Sequence, residues 1–160
     1  MIRGEDFRFS IEYDNSPNII IVSVIFEKLP FDDFKMFFIE KILKKIKRLN
    51  QSMSFIFSDF YWKTHSIDET IQYLRPYKIK MADLSIESKE KLIKEFIEKG
   101  FGKHMKFDKP LWRIIYCENY ENEKSMLMMK FHHVLADGGS LLSLLSSFSN
   151  ESIVTKQIII

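Results

Sequence analysis

The 160-residue chain is 46% hydrophobic and 14% aromatic, so residues 1–160 fit a single domain with a sizeable core. A formal net charge of +2 gives no argument for a nucleic-acid partner, and one cysteine excludes an intramolecular disulfide framework. That cysteine usage agrees with an intracellular, reducing compartment. No apolar run approaches the roughly 20 residues that span a bilayer, and the charged start is not typical of a secretory signal.

The first two predicted elements are a buried strand and a long helix. Residues 18–27 form a β-branched, nearly continuous apolar run, which indicates the strand. A helix is predicted over residues 30–49, with Pro30, Asp32 and Asp33 suiting its first turn. Its far end is basic and includes Lys41, Lys44, Lys45, Lys47 and Arg48. Such an edge can contact acidic lipid or coenzyme A phosphates, but we favour a core-packed helix with a solvated basic edge.

The middle of the chain gives weaker patterns. Residues 54–63 are expected to form one short strand, or two interrupted near Ser58. Tyr61 and Trp62 there line a ligand channel or, as is more common, fill a core. His65 is expected in an exposed loop. A helix capped by Ser85 is predicted over residues 85–99, with its apolar side chains on one face.

Strands return in the last third of the chain. Residues 110–117 and 125–131 are apolar runs joined by a polar turn, which predicts an antiparallel pair. Leucines at helical spacing after residue 140 predict a last helix, and the Ile-rich residues 157–160 look like the start of another strand. The fold class is therefore α/β, with a mixed, largely antiparallel sheet packed with helices.

The strongest candidate for chemistry is the histidine pair His132 and His133 at the end of a predicted strand. A neutral imidazole, with an unperturbed pKa near ~6.5, can accept the proton of an attacking alcohol. Asp137 is a poorer base for an alcohol and suits pairing with a cation that holds the loop, for which Arg113 is a candidate. A purely structural histidine pair is the alternative.

Two further features bear on the chemistry predicted for the residues that follow the histidine pair. Gly138 and Gly139 allow a tight turn into the next helix, whose N-terminus favours developing negative charge. Zinc is disfavoured, because neighbouring strand residues point to opposite faces and Cys117 is the lone cysteine. We therefore expect no metal.

The string His-His-x-x-x-Asp-Gly, from His132 to Gly138, resembles the signature of acyltransferases with the chloramphenicol acetyltransferase-like fold. That superfamily includes condensation domains, plant acyltransferases and wax ester synthase/diacylglycerol acyltransferases. Pro110, Leu111 and Trp112 resemble the Pro-Leu-Trp block of the wax ester synthase group, and the similarity runs over about residues 5–150. The chain departs from that group after Asp68, where the group's usual histidine is missing.

The resemblance implies one half of a two-lobed fold with a tunnel between the lobes. Residues 1–160 would be the histidine-bearing N-terminal lobe, and the C-terminal lobe is absent from this sequence. The second half of a longer protein, or a neighbouring subunit of a homo-oligomer, would then supply the opposite wall. A condensation-type domain acting on carrier-bound acyl groups is disfavoured by the Pro-Leu-Trp block and by the lack of flanking carrier modules.

The implied activity is transfer of a fatty acyl group from acyl-coenzyme A to a long-chain alcohol or diacylglycerol. Acyl-coenzyme A is a substrate, and no cofactor is expected. His133 would be the base, with His132 and Asp137 as supporting catalytic residues. Five residues are expected to contact substrate: Gly138, Gly139, Pro110, Leu111 and Trp112. We expect an intracellular protein at the surface of the endoplasmic reticulum membrane or a lipid droplet. The alternative is a catalytically inactive, truncated domain that binds lipid or a protein partner.

Overall fold

A computed structural model describes residues 18–56, 59–78, 81–135, 146 and 154–159. Its main feature is a five-stranded sheet in the order β4-β5-β6-β1-β7. These strands are β1 (Ile19–Glu27), β4 (Leu74–Pro76), β5 (Trp112–Glu121), β6 (Lys124–His132) and β7 (Val154–Ile159). Only the β4–β5 neighbours in this sheet are parallel, and the other three pairs are antiparallel. The predicted mixed, largely antiparallel sheet is confirmed.

The antiparallel pair β5–β6 is longer than predicted. Two residues, Asn122 and Glu123, join the strands, and Glu123 takes a left-handed φ of 55°. β5 begins at Trp112 rather than at Pro110. Near the end of the chain, β7 pairs with β1, which confirms a further strand there, although it begins at Val154.

A separate two-stranded hairpin consists of β2 (Gln51–Ile56) and β3 (Asp59–Thr64). The alternative of two interrupted strands is therefore the correct one. The Met53 N–H donates to the Phe107 carbonyl at 2.8 Å, and the His65 N–H donates to the Asn50 carbonyl at 2.8 Å. The first bond attaches the hairpin to the segment just before β5, and the second closes the open end of the hairpin.

The first helix is shorter than predicted. Helix α1 (Phe31–Phe37) continues as a π-helical segment, Phe38–Leu43, and a separate 3-10 turn covers Lys47–Asn50. The Asn50 side-chain amide donates to the Leu43 carbonyl at 2.8 Å, satisfying an acceptor that a helix end leaves open. The single helix over residues 30–49 was therefore wrong in its second half.

Two more helices complete the described part of the chain. Helix α2 (Ile67–Ile71) is capped by Ser66. Helix α3 (Ile86–Phe96) is capped by Ser85 and continues as a π-helical segment, Ile97–Phe101. The Ser85 hydroxyl accepts the Ser88 N–H at 3.3 Å, which confirms the predicted cap. Within the described ranges, every helix is too short or too polar to cross a membrane.

The two faces of the sheet bury different side chains. The aromatic face packs under α1, α2 and the hairpin, whereas the α3 face packs under α3 and its π-helical continuation. The sheet residues of the aromatic face are Val22, Val24, Phe26, Trp112, Ile114, Tyr116, Leu127, Met129 and Phe131. Those of the α3 face are Ile21, Cys117, Met126 and Met128, with Ile25 and Ile115 partly buried. This alternation follows from the two-residue period of a strand.

Candidate active site

The predicted histidine pair lies at the end of β6, the middle strand of the five-stranded sheet. The His132 N–H donates to the Leu111 carbonyl at 2.9 Å, and the His133 N–H donates to the Asn18 carbonyl at 2.8 Å. Leu111 immediately precedes β5, and Asn18 immediately precedes β1. The pair is thus held by backbone bonds to both neighbouring strands, which fixes the point where the chain leaves the sheet.

His132 is fully buried, with 0% of its surface exposed. Its Nδ1 accepts a hydrogen bond from the Val134 N–H at 3.1 Å, and its carbonyl accepts the Leu135 N–H at 2.9 Å. Because Nδ1 is an acceptor, a neutral His132 carries its ring proton on Nε2. The Phe107 ring meets the imidazole edge-on at 5.0 Å between centroids. His132 therefore shapes the turn that follows it.

His133 is half-buried and is the member of the pair that keeps contact with solvent. It lies one residue beyond the strand, where its backbone is anchored to Asn18. A group of this kind can meet a substrate while the sheet holds its main chain. Asp137, Gly138 and Gly139 lie outside the described residues, so their predicted roles stay predictions.

Pro110, Leu111 and Trp112 are all buried, and Leu111 and Trp112 have 0% of their surface exposed. The Trp112 indole N–H donates to the Leu49 carbonyl at 2.7 Å, and its ring meets Phe38 edge-on at 5.3 Å. Together with the Leu111 carbonyl bond, these contacts set where β5 begins beside the histidines. Contact of the three residues with substrate stays a prediction.

Arg113, a candidate partner of Asp137, makes its described contacts elsewhere. Its Nη1 donates to the Pro110 and Trp112 carbonyls, both at 2.6 Å, and the guanidinium lies 3.9 Å from the Tyr73 ring centroid. Burial lowers the pKa of Arg113, although the nearby Tyr73 and Asp108 favour its charged form. These contacts direct the cation toward β4.

Sequence reasoning missed Lys130, which is only 4% exposed and lies two residues before His132. Its ammonium donates to the Lys103 carbonyl and lies 6.0 Å from the Phe101 ring centroid. Arg113 is its partner across the β5–β6 ladder. A lysine inside the apolar run of residues 126–131 was the available signal, since a buried cation requires polar contacts.

His65 is a correction, because it was expected in an exposed loop. Its side chain is 13% exposed, and its Nε2 is hydrogen-bonded to the Ser52 hydroxyl at 2.7 Å. His65 and Pro110 line the same polar pocket of about 390 Å³. The hairpin register that brings Ser52 beside this histidine is set by tertiary contacts, which the polar sequence around His65 does not show.

No group of three or more histidine, cysteine, aspartate or glutamate side chains converges in a metal-binding arrangement within the described ranges. An imidazole at a strand end can hold and release a proton without a metal ligand set.

The mixed sheet with helices on both faces is the fold of solved chloramphenicol acetyltransferase-like acyltransferases and condensation domains. Comparison with solved structures supports this class. The wax ester synthase/diacylglycerol acyltransferase from Marinobacter aquaeolei VT8 matches with a TM-score of 0.60 and 18% identity, over 89% of this chain and 36% of that one. The expected fold is confirmed.

Two condensation domains match in the same way. One mediates chain release from the enacyloxin polyketide synthase, with a TM-score of 0.64 and 14% identity over 87% of this chain and 27% of that one. The other is the starter condensation domain of rhizomide synthetase in complex with C8-CoA, with a TM-score of 0.56 and 7% identity over 73% of this chain and 26% of that one.

The chain spans about a third or less of the length of these structures. No protein-family model and no curated protein matches it. At such low identity the likeness establishes the fold, which is shared by more than one kind of acyl transfer.

Proposed function

We propose that this chain is the histidine-bearing part of an acyl-coenzyme A-dependent O-acyltransferase, acting on a long-chain alcohol or diacylglycerol. The observation that carries the proposal is the strand-end turn, where His132 is sealed in the core and His133 is held half-buried by the Asn18 carbonyl. This arrangement, in a fold shared with acyltransferases, supports assigning the chemistry to His133.

The proposed reaction needs one base and no metal. The His133 imidazole accepts the proton of the acceptor hydroxyl as its oxygen attacks the thioester carbonyl. The tetrahedral intermediate collapses, the carbon–sulfur bond breaks, and coenzyme A leaves with its thiolate protonated by the His133 imidazolium. The products are an ester and free coenzyme A, and His133 returns to its neutral form.

The remaining predicted groups have supporting roles in this proposal. Asp137 fixes the loop, while Gly138 and Gly139 let the backbone approach the reacting carbonyl. Pro110, Leu111 and Trp112 hold the start of β5 beside the histidines. The opposite wall of the tunnel would come from further polypeptide or from a second copy of this chain, since the solved relatives are about three times as long.

The test is an acyl-transfer assay on the native protein isolated from its own cell. Its intact mass shows whether it exceeds 19.1 kDa, the mass of these 160 residues. We expect ester formation from a long-chain acyl-coenzyme A and a long-chain alcohol or diacylglycerol. His133→Ala should reduce the rate by about 10²–10⁴-fold, the usual contribution of a general base.

His65→Ala is the matched control, because His65 is also partly buried and hydrogen-bonded but belongs to the hairpin. It should keep most of the transfer rate. Thermal unfolding of both variants should resemble that of the unchanged protein. Full activity in a folded His133→Ala variant would contradict the proposed role of His133.

A second candidate is a catalytically inactive domain that binds lipid. The observation in its favour is an apolar cleft of about 510 Å³ between α3 and strands β1 and β6, lined in part by Ile25, Ile93 and Met126. Its size is that of a small-molecule site. Saturable binding of a fluorescent fatty acid, together with no ester formation at any donor concentration, would favour this candidate.

The location follows from the proposed substrates, which partition into membranes. We propose an intracellular protein that works at the surface of the endoplasmic reticulum membrane or of a lipid droplet. The end of the first helical region gives the protein a basic edge that suits contact with an anionic membrane surface. Its exposed lysines are Lys41, Lys44, Lys45 and Lys47. Fractionation of cell extracts tests this placement directly.

A further inference from the structure

A cationic pocket of about 420 Å³ lies on the α3 face beside the edge where β4 pairs with β5. Four cationic side chains converge on it from three segments of the chain. They are Arg75 of β4, Lys106 and Lys109 of the loop before β5, and Arg113 of β5. Tyr73 and Phe101 form part of its apolar wall.

The innermost cation of this pocket is preorganised. Arg113 is half-buried, and its guanidinium is held by the Pro110 and Trp112 carbonyls and by the face of the Tyr73 ring. These contacts use Nη1 and the flat face of the guanidinium, so its other N–H groups stay available to a ligand. Burial lowers the pKa of Arg113, so an anion bound beside the guanidinium would offset part of the cost of burying its charge.

The described lining of the pocket carries more positive than negative charge, and the carboxylate of Asp108, which favours the charged form of Arg113, lies outside that lining. The described residues that line the pocket include no carboxylate. None of the four cations lies within 4.0 Å of a carboxylate oxygen of a described residue. Other lysines do pair, as Lys44 does with Glu40 at 2.6 Å and Lys99 with Glu95 at 2.8 Å. One nearby carboxylate, that of Asp108, offsets only part of the repulsion among four like charges, and a bound anion would offset more of it.

We propose that this pocket binds the phosphate groups of a phosphorylated ligand. Four cations suit a ligand that carries more than one negative charge, and arginine forks match the geometry of phosphate oxygens. Coenzyme A and the headgroups of anionic lipids both present this chemistry. The inference stands on the pocket and holds whether or not His133 catalyses acyl transfer.

The first experiment is isothermal titration of the full chain with inorganic pyrophosphate at low ionic strength. We expect saturable binding that weakens as salt is added, since a bound phosphate competes with other ions for the same cations. The double variant Lys106→Gln/Lys109→Gln should bind about tenfold more weakly or worse, because each lysine contributes a charge-assisted hydrogen bond. Both lysines are exposed, so the fold should be retained.

The matched control is Lys45→Gln/Lys47→Gln, which removes the same charge from exposed lysines after the first helical region. It should bind pyrophosphate like the unchanged protein, and so should His133→Ala. Undetectable binding at millimolar pyrophosphate would overturn the proposal. Equal weakening in the two double variants would also overturn it, since the effect would then be one of net charge alone.

Two further arms identify the source of the phosphate. Displacement of pyrophosphate by coenzyme A, weakened in the Lys106/Lys109 double variant, would assign the pocket to a nucleotide-type ligand. Sedimentation of the protein with phosphatidate-containing vesicles that is weaker in the Lys106/Lys109 double variant than in Lys45→Gln/Lys47→Gln, which itself thins the proposed basic edge, would assign it to a lipid headgroup. Retained acyl transfer without pyrophosphate binding would refute the pocket and leave the proposed function intact.

Discussion

The aromatic face and the α3 face of the same sheet are packed to different degrees. On the aromatic face, Phe34 stacks on Tyr116 at 4.8 Å, and Trp112 and Tyr116 have 0% of their surface exposed. On the α3 face, an apolar cleft of about 510 Å³ and the cationic pocket lie beside α3 and its continuation. One side of the sheet thus forms a closed core, and the other keeps spaces that can hold ligands.

The two faces of the sheet therefore differ in what they contribute. The aromatic face contributes packing and stability, and the α3 face holds the spaces that can take a ligand. Close packing on one side is enough to fix the strand order and so the end of β6. The α3 face is freer to carry groups that a closed core would reject, such as Lys130 and Arg113. The strands position the histidine pair, and the looser face keeps the apolar cleft and the cationic pocket.

The largest expected effect comes from opening the aromatic face. Trp112→Ala removes a fully buried ring and leaves the Leu49 carbonyl without its indole donor. We expect a loss of about 3–5 kcal/mol in the free energy of unfolding, measured by urea denaturation. Trp62→Ala is the control, because Trp62 is only half-buried in the hairpin, with Arg48 lying over its ring. Equal losses in the two variants would contradict the central role of the aromatic face.

A chemical probe tests whether the α3 face is closed to solvent at Cys117. Burial raises the pKa of this thiol to about 11, and its side chain is 1% exposed. Since the thiolate is the reactive form, at pH 8 only about one thiol in a thousand is ready to react. Alkylation by iodoacetamide should therefore be at least about 100-fold slower than in urea, as followed by mass spectrometry. Comparable rates in the two conditions would mean that α3 opens readily.

Much of the sheet was predictable from the sequence, because buried strands leave a direct compositional mark. The apolar runs of β1 and β6 and the Ser85 cap of α3 lie close to where their patterns placed them. The end of the first helix was not predictable, since it depends on the Asn50 amide reaching back to the Leu43 carbonyl. The spacing of apolar residues in a sequence predicts which face of a helix is buried, but it does not predict a contact of this kind.

For the site, the sequence identified the histidine pair but not its surroundings. The spacing from His132 to Gly138 pointed to the end of a strand, and the structure places both histidines there. The convergence of Arg75, Lys106 and Arg113 on one pocket was invisible, because these residues come from separate segments brought together by the parallel β4–β5 pairing. Pairings between distant strands are set by the whole core rather than by local pattern.

Two neighbouring methionines of β6 allow the packing of the two faces to be compared directly. Met128 and Met129 are neighbours in β6 and point to opposite sides of the sheet, the first to the α3 face and the second to the aromatic face. Each substitution to alanine should cost about 2–4 kcal/mol, with Met129→Ala near the upper end but below the loss for Trp112→Ala. We expect Met128→Ala to cost about 1–2 kcal/mol less, because a face that keeps open space has fewer packed atoms to lose. A greater loss for Met128→Ala in urea denaturation would reverse our ranking of the two faces.

The smallest expected effects come from the serine caps of the helices on the two faces. Ser66 caps α2, which packs on the aromatic face, through a reciprocal pair of bonds with Glu69, whereas Ser85 caps α3 with one bond at 3.3 Å. Either serine-to-alanine change should cost about 0.5–2 kcal/mol, with Ser66→Ala the larger of the two. The hydrogen bonds from Ser66 lower the pKa of Glu69, so this contribution is complete above the ordinary glutamate pKa and is lost as the pH falls through the lowered value. In urea denaturation, the part of the Ser66→Ala loss that comes from the hydroxyl bond to Glu69 should therefore disappear as the pH falls below the ordinary glutamate pKa, while the loss for Ser85→Ala stays constant. A pH-independent loss for Ser66→Ala would show that the bond from the Ser66 hydroxyl to the Glu69 carboxylate adds no stability, since the bond from the backbone N–H of residue 66 to that carboxylate is kept in the variant.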